Sequence, residues 1–175
     1  GANTDDAFNL STTTASITST LSGGAGGTDS ITSFTSGAHF VVSDSERYVQ
    51  ISSADGTRII QSFTGIEALN GNTGNDTFAL VSTFLGAIDG GSGGVNQLDL
   101  TDSANVNWQI TNADSGSVEG MTFGNIQTLL GSEGNDAFVL VDTGLDVGSI
   151  STLIDGQGGS NSITGPNLDS RFIVT

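Results

Sequence analysis

The sequence predicts an all-β chain. The expected fold is a right-handed parallel β-solenoid, of the β-helix or β-roll kind, with about 20 residues per coil. Three observations predict it. Glycine- and Asn/Asp-rich turns recur along the whole length, short apolar stretches with a period near two follow them, and the turns return at intervals of one coil. The residues just before each turn, Leu69, Ile88, Ile110, Leu129 and Ile154, are separated by 19, 22, 19 and 25 positions. A solenoid coil of that length would stack on its neighbour about 4.8 Å higher.

The chain is expected to be one segment, 1–175, made of internal repeats at 1–70, 71–130 and 131–175, the third incomplete. The first opens with Gly1-Ala-Asn-Thr-Asp-Asp-Ala-Phe-Asn-Leu10. The second opens with Gly71-Asn-Thr-Gly-Asn-Asp-Thr-Phe-Ala-Leu80, and the third with Gly131-Ser-Glu-Gly-Asn-Asp-Ala-Phe-Val-Leu140. Phe63-Thr-Gly-Ile-Glu-Ala-Leu69 returns 60 positions later as Phe123-Gly-Asn-Ile-Gln-Thr-Leu129. A second turn type appears in Leu21–Ile31, Ile88–Leu98 and Ile154–Ile163, and a weaker third in Ser53–Thr57 and Asn112–Ser117. Turns at 70–77, 89–97 and 112–117 are expected to stack along one edge, where Asn and Asp tolerate left-handed backbone and bond their own turns. Phe40, Phe63, Leu69, Phe78, Trp108, Phe123, Leu129, Phe138 and Ile163 belong to the expected inward set. An antiparallel sandwich is the rival, and it explains the coil-length spacing less well.

Charge narrows the partners. Nineteen Asp and Glu face three arginines and no lysine, for a formal charge of −16. Such a polyanion repels nucleic acid and anionic membrane. Cysteine is absent, which removes disulfides and thiol chemistry. No apolar run reaches the length of a membrane span. A chain that starts at Gly1, with neither Met nor a signal segment, reads as a mature product or an excised fragment.

The turn at 71–79 resembles the nonapeptide repeat of the RTX family, Gly-Gly-x-Gly-x-Asp-x-(apolar)-x, departing at the second glycine, as does 131–139. The resemblance implies bound Ca²⁺ as a structural staple, with Asp76 and Asp136 matching the liganding Asp and Asp6 matching it in the first copy. Turns of the second type carry Asn96 and Asn161 at that position, a neutral oxygen. The alternative is that these residues cap turns and form a hydrogen-bonded ladder without metal. The wider pattern resembles the repeats of large bacterial haemagglutinin-type and RTX-containing adhesins, biofilm matrix and filament proteins. That resemblance implies an extracellular or cell-surface location and a stalk or scaffold role. It also implies neighbouring repeats or further copies as partners, with surface carbohydrate or matrix polysaccharide as a ligand. A calcium-stabilised, self-assembling filament subunit is the alternative within that class.

Catalysis is not expected. His39 is the only histidine and begins an apolar stretch, and no nucleophile elbow is present. Arg47, Arg58 and Arg171 are the only bases available to a polysaccharide lyase, and the first two read as surface ion-pair partners. Glycosidase-like carboxylate pairs are possible in principle among so many acids, but acids at repeat-equivalent positions read as architecture. The Thr-rich run at 11–20 prompts an ice-binding face, which 81–87 and 141–153 fail to repeat.

Overall fold

The chain is described by a computed structural model over residues 3–52, 54–81 and 84–166. Gly1, Ala2, Ser53 and Arg171, all used in the sequence reading, lie outside these residues. Two facing sheets share one apolar core, and the described residues contain no helix.

The chain steps between the sheets. β1 (Ala7–Asn9) lies in the first sheet, β2 (Ile17–Ser22) in the second and β3 (Ser30–Thr32) in the first. Then β4 (His39–Val42), β5 (Arg47–Gln50) and β6 (Arg58–Thr64) all stay in the second. Single strands follow, with β7 (Ala68–Asn70) and β9 (Ala87–Asp89) in the first sheet and β8 (Thr77–Leu80) and β10 (Gln97–Asp99) in the second. The next three, β11 (Asn107–Asn112), β12 (Ser115–Val118) and β13 (Met121–Gly124), remain in the first sheet. β14 (Thr128–Leu130) and β16 (Leu153–Asp155) close the second sheet, and β15 (Ala137–Leu140) and β17 (Ser162–Thr164) the first. The nine-stranded sheet runs β1-β3-β7-β9-β13-β12-β11-β15-β17. The eight-stranded sheet runs β16-β14-β10-β8-β4-β5-β6-β2.

This corrects the expected single parallel solenoid. Both sheets are mixed, because β4-β5-β6 and β11-β12-β13 are antiparallel triplets. The physical cause is turn chemistry that lacks the usual Asn-Gly hairpin signal. Between β4 and β5, Ser43 Oγ accepts from Glu46 N–H at 2.9 Å and Ser43 N–H donates to Glu46 O at 2.7 Å, a tight reversal. Between β12 and β13, Glu119 and Gly120 both have positive φ, 48° and 86°. That is what a two-residue type I′ hairpin turn demands. The turn expected at 112–117 is the β11–β12 reversal and does not stack with the others.

The number of crossings also changes what the repeat means. From β6 the chain crosses to β7, β8, β9, β10 and β11, five crossings, an odd number. Repeat-equivalent residues therefore sit in opposite sheets. Leu69 is in the first and Leu129 in the second, and Phe78 is in the second and Phe138 in the first. The single strands keep the alternation that the sequence shows, with Phe78 and Leu80 buried between partly exposed Thr77 and Ala79. Register then stacks like on like. Phe40 pairs with Phe78, rings 4.8 Å apart, and Trp108 pairs with Phe138, rings 5.6 Å apart. Most of the expected inward set is buried. Ile163, on the edge strand β17, is 49% exposed.

Trp108 is fully buried, yet its indole N–H has no hydrogen-bond partner among the described residues. Replacing Trp108 with Ala should destabilise by about 3–5 kcal/mol, the usual result of emptying an aromatic core site. Trp108→Phe removes an unsatisfied buried donor along with part of the ring, so it should cost no more than about 2 kcal/mol. Urea unfolding of the two variants measures the gap, and equal losses would contradict this account.

Candidate functional site

The functional feature of this chain is the set of residues that immediately precede the parallel strands. In a parallel ladder each strand's N–H groups are met by the neighbour's carbonyls. At the strand head the turn removes that carbonyl, and a buried unmatched N–H is costly. Here a side-chain oxygen replaces it. Within a row, the N–H of every head residue but the last donates to the side chain of the head residue on the next strand.

Among the described residues there are three such rows. At the heads of β1, β3 and β7, Asp6 N–H donates to Asp29 Oδ1 at 2.8 Å and Asp29 N–H to Glu67 Oε2 at 2.9 Å. At β4, β8, β10 and β14, Ala38 N–H reaches Asp76 Oδ1 at 2.8 Å, Asp76 N–H reaches Asn96 Oδ1 at 2.9 Å, and Asn96 N–H reaches Gln127 Oε1 at 2.8 Å. At β11, β15 and β17, Val106 N–H reaches Asp136 Oδ1 at 2.7 Å and Asp136 N–H reaches Asn161 Oδ1 at 2.8 Å. The head carbonyls are used in the same direction. Ser30 N–H donates to Asp6 O, Gln97 N–H to Asp76 O and Ser162 N–H to Asp136 O.

The turns supply the remaining bonds. Asp76 Oδ2 accepts from Asn72 N–H at 3.2 Å, and its Oδ1 also takes Ser33 Oγ–H at 2.8 Å. Asp136 Oδ2 accepts from Ser132 N–H at 2.7 Å, and its Oδ1 also takes Ser132 Oγ–H at 2.7 Å. Asp29, Asp76, Asn96 and Asp136 are all buried. Close turn-on-turn approach makes this possible. A Cβ on Gly74 would run into the backbone of Ser36 and Gly37 in the stacked turn beneath.

Asp76 and Asp136 occupy repeat-equivalent turns but head strands in opposite sheets, so they do not share a row. Asp6 belongs to a third. Each carboxylate oxygen of Asp76 and Asp136 already faces N–H or O–H donors. That arrangement does not fit Ca²⁺, which takes six to eight oxygen ligands. No group of three His, Asp or Glu side chains placed to hold a metal occurs among the described residues. Sequence reasoning missed Glu67, Gln127, Ser33 and Ser132. Glu67 and Gln127 do stand at equivalent positions, 60 apart, directly before a strand, and that was the available signal.

The other candidates sit apart from these rows. His39 is on β4 with Nδ1 2.9 Å from Gln50 Oε1 across the β4–β5 hairpin. Arg58 donates to Glu46 Oε2 at 3.1 Å and lies 3.7 Å over the Tyr48 ring. It is a surface pair with a cation–π contact. Arg47 and Arg58 line a polar cleft of about 350 Å³ with Ser43, Glu46, Ser62 and Thr64. A second cleft of about 270 Å³ is lined by Phe84, Leu100, Val118, Met121, Asp102 and Glu119. Compared with family models, curated proteins and solved structures, the chain matches none.

Replacing Asp136 with Ala leaves the N–H groups of Val106 and Ser132 without their acceptor. The loss should be about 3 kcal/mol or more, since each orphaned buried donor costs roughly 1–3 kcal/mol. Asn161→Ala, at an exposed row end, should cost about 1 kcal/mol. Equal losses by chemical denaturation would show that row position is irrelevant.

Burial pushes the Asp76 carboxyl above its ordinary value of 3.8, against the lowering effect of its bonds from Ser33, Asn72 and Ala38. The stability this group contributes is fully present below the ordinary carboxylate range and is lost as pH rises through its raised value. Carbon-detected NMR titration should place the Asp76 midpoint above 3.8. A midpoint at or below 3.8 would contradict the burial argument.

Proposed function

We propose that this chain is a structural, adhesive repeat segment of a bacterial extracellular surface or matrix protein, forming part of an elongated stalk or scaffold. The observation that carries the reading is where the repeat-equivalent polar residues go. Asp29, Asp76, Asn96 and Asp136 are buried and bonded to strand-head N–H groups, so the residues that recur hold the backbone of the preceding strand in the row. Such a scheme extends by adding strands, as repeat arrays do. The high negative charge keeps a long apolar-cored array solvated.

An adhesive segment also needs a face for its ligand. The cleft holding Arg47 and Arg58 gathers two of the three cations of a −16 chain beside Asp44, Glu46 and the hydroxyl groups of Ser43, Ser45, Ser62 and Thr64, a polar lining that suits the hydroxyl groups of a saccharide.

Antibodies raised against this segment should label intact, unpermeabilised cells of the source bacterium. Labelling only after permeabilisation would overturn the surface assignment, and depolymerisation of a polysaccharide by the purified chain would overturn the structural one.

A further inference from the structure

The strand-head rows have a direction, and the two edges of the nine-stranded sheet end them in complementary states. At one edge, β17 is headed by Asn161, whose side chain already accepts from Asp136 N–H. Its own N–H would next reach the side chain of a further head residue. At the other edge, β1 is headed by Asp6, which gives its N–H to Asp29. Asp6 Oδ2 is buried with no partner among the described residues. One edge thus lacks an acceptor and the opposite edge lacks a donor.

The backbone repeats this complementarity. Ser30 N–H donates to Asp6 O and Leu10 N–H to Thr32 O, so Ala7 and Asn9 turn their polar groups away from β3. Ser162 N–H donates to Asp136 O, so Asn161 and Ile163 turn theirs away from β15. Laying β17 beside β1 of another molecule, parallel, with Ser162 opposite Ala7 and Ile163 opposite Phe8, reproduces the pattern inside the sheet. Asn161 N–H meets the Asp6 carboxylate, and Ala7 N–H meets Asn161 O. The same step places half-exposed Ile163 between its own Phe138 and the incoming Phe8, which itself pairs with Ile31. The eight-stranded sheet ends compatibly, with β2 beside the β1 end and β16, carrying 47%-exposed Leu153, beside β17.

From this we infer that the β16/β17 edge is a docking surface for the β1/β2 edge of a second copy of this chain. The contact is heterologous, so it propagates head to tail and does not close as a dimer. Its chemistry is strand addition, with main-chain bonds giving affinity and the Asn161–Asp6 contact fixing register. Both copies are strongly negative, so screening must favour the contact, and it should strengthen with salt at a Debye length of about 8 Å or less. The inference rests on the structural-segment reading and adds the specific partner and register.

The chain has no cysteine, which makes the test clean. Two variants, Ala7→Cys and Ser162→Cys, alter exposed positions of the two edges. Each is first checked for an unchanged circular dichroism spectrum. Under mild oxidation, or with a short thiol-reactive cross-linker, the mixture should give a cross-linked dimer that increases with protein concentration and with salt. Either variant alone should not. A chain carrying both substitutions should give a ladder of higher species. Self-cross-linking of one single variant would show a two-fold contact and overturn the inference. So would a mixture that stays monomeric up to its solubility limit while wild-type chain sediments as a monomer. Surface labelling of intact cells with that outcome would leave the structural reading standing and remove only this contact.

Discussion

The hydrogen bond from a strand-head N–H to the side chain of the next strand head is the constraint on which the rest of this structure depends. The strands are short, many only three residues, so each makes few ladder bonds. The head bonds lengthen the ladder by one residue at the place where the chain enters from a turn. They also fix register. A slip by one residue would remove the Asx oxygen from its N–H and turn Phe78 or Phe138 out of the core. Register and core are therefore enforced by the same residues.

Burying carboxylates this way has an energetic tension. Asp76 is desolvated, which works against its charge, while its N–H and O–H donors work for it. Asn at the equivalent position of the next turn avoids the charge. Asn96 accepts from Asp76 N–H and donates to the carbonyls of Gly93 and Asn125. The Asp76–Asn96 and Asp136–Asn161 steps thus place no two carboxyl groups in direct succession, whereas the first row stacks three, Asp6, Asp29 and Glu67.

Much of this was legible in the sequence, and the failures have definite causes. The internal repeat, the all-β character and most of the buried apolar positions followed from spacing and alternation. The importance of position 76 and its equivalents also followed, because an Asx directly before an apolar stretch is a local signal. The two antiparallel triplets did not follow. Ser43–Glu46 and Glu119-Gly120 make their turns through a serine hydroxyl and a left-handed glutamate, neither a strong hairpin mark. The exchange of sheets between repeats follows from the odd number of crossings between equivalent strands, five from β7 to β14, which spacing alone does not show. The expectation that the turns at 70–77, 89–97 and 112–117 line one edge failed for 112–117, which is the β11–β12 reversal, although the turns at 71–76 and 90–96 do stack, with Ser92 N–H donating to Asn72 O. Glu67 and Gln127 were overlooked because they lie in Ile-Glu-Ala-Leu and Ile-Gln-Thr-Leu, outside any glycine turn.

The central claim is that side-chain oxygens complete the sheets without a metal. It is tested most directly by thermal melting, followed by circular dichroism, in chelator and then in millimolar Ca²⁺ with Mg²⁺ as control. This account predicts a full β signal in chelator and a melting temperature that responds no more to Ca²⁺ than to Mg²⁺. A Ca²⁺-specific rise would mean that a cation binds the folded state preferentially. The Asp76 and Asp136 carboxylates would then be ligands, and the hydrogen-bonded rows would not be what holds the strands.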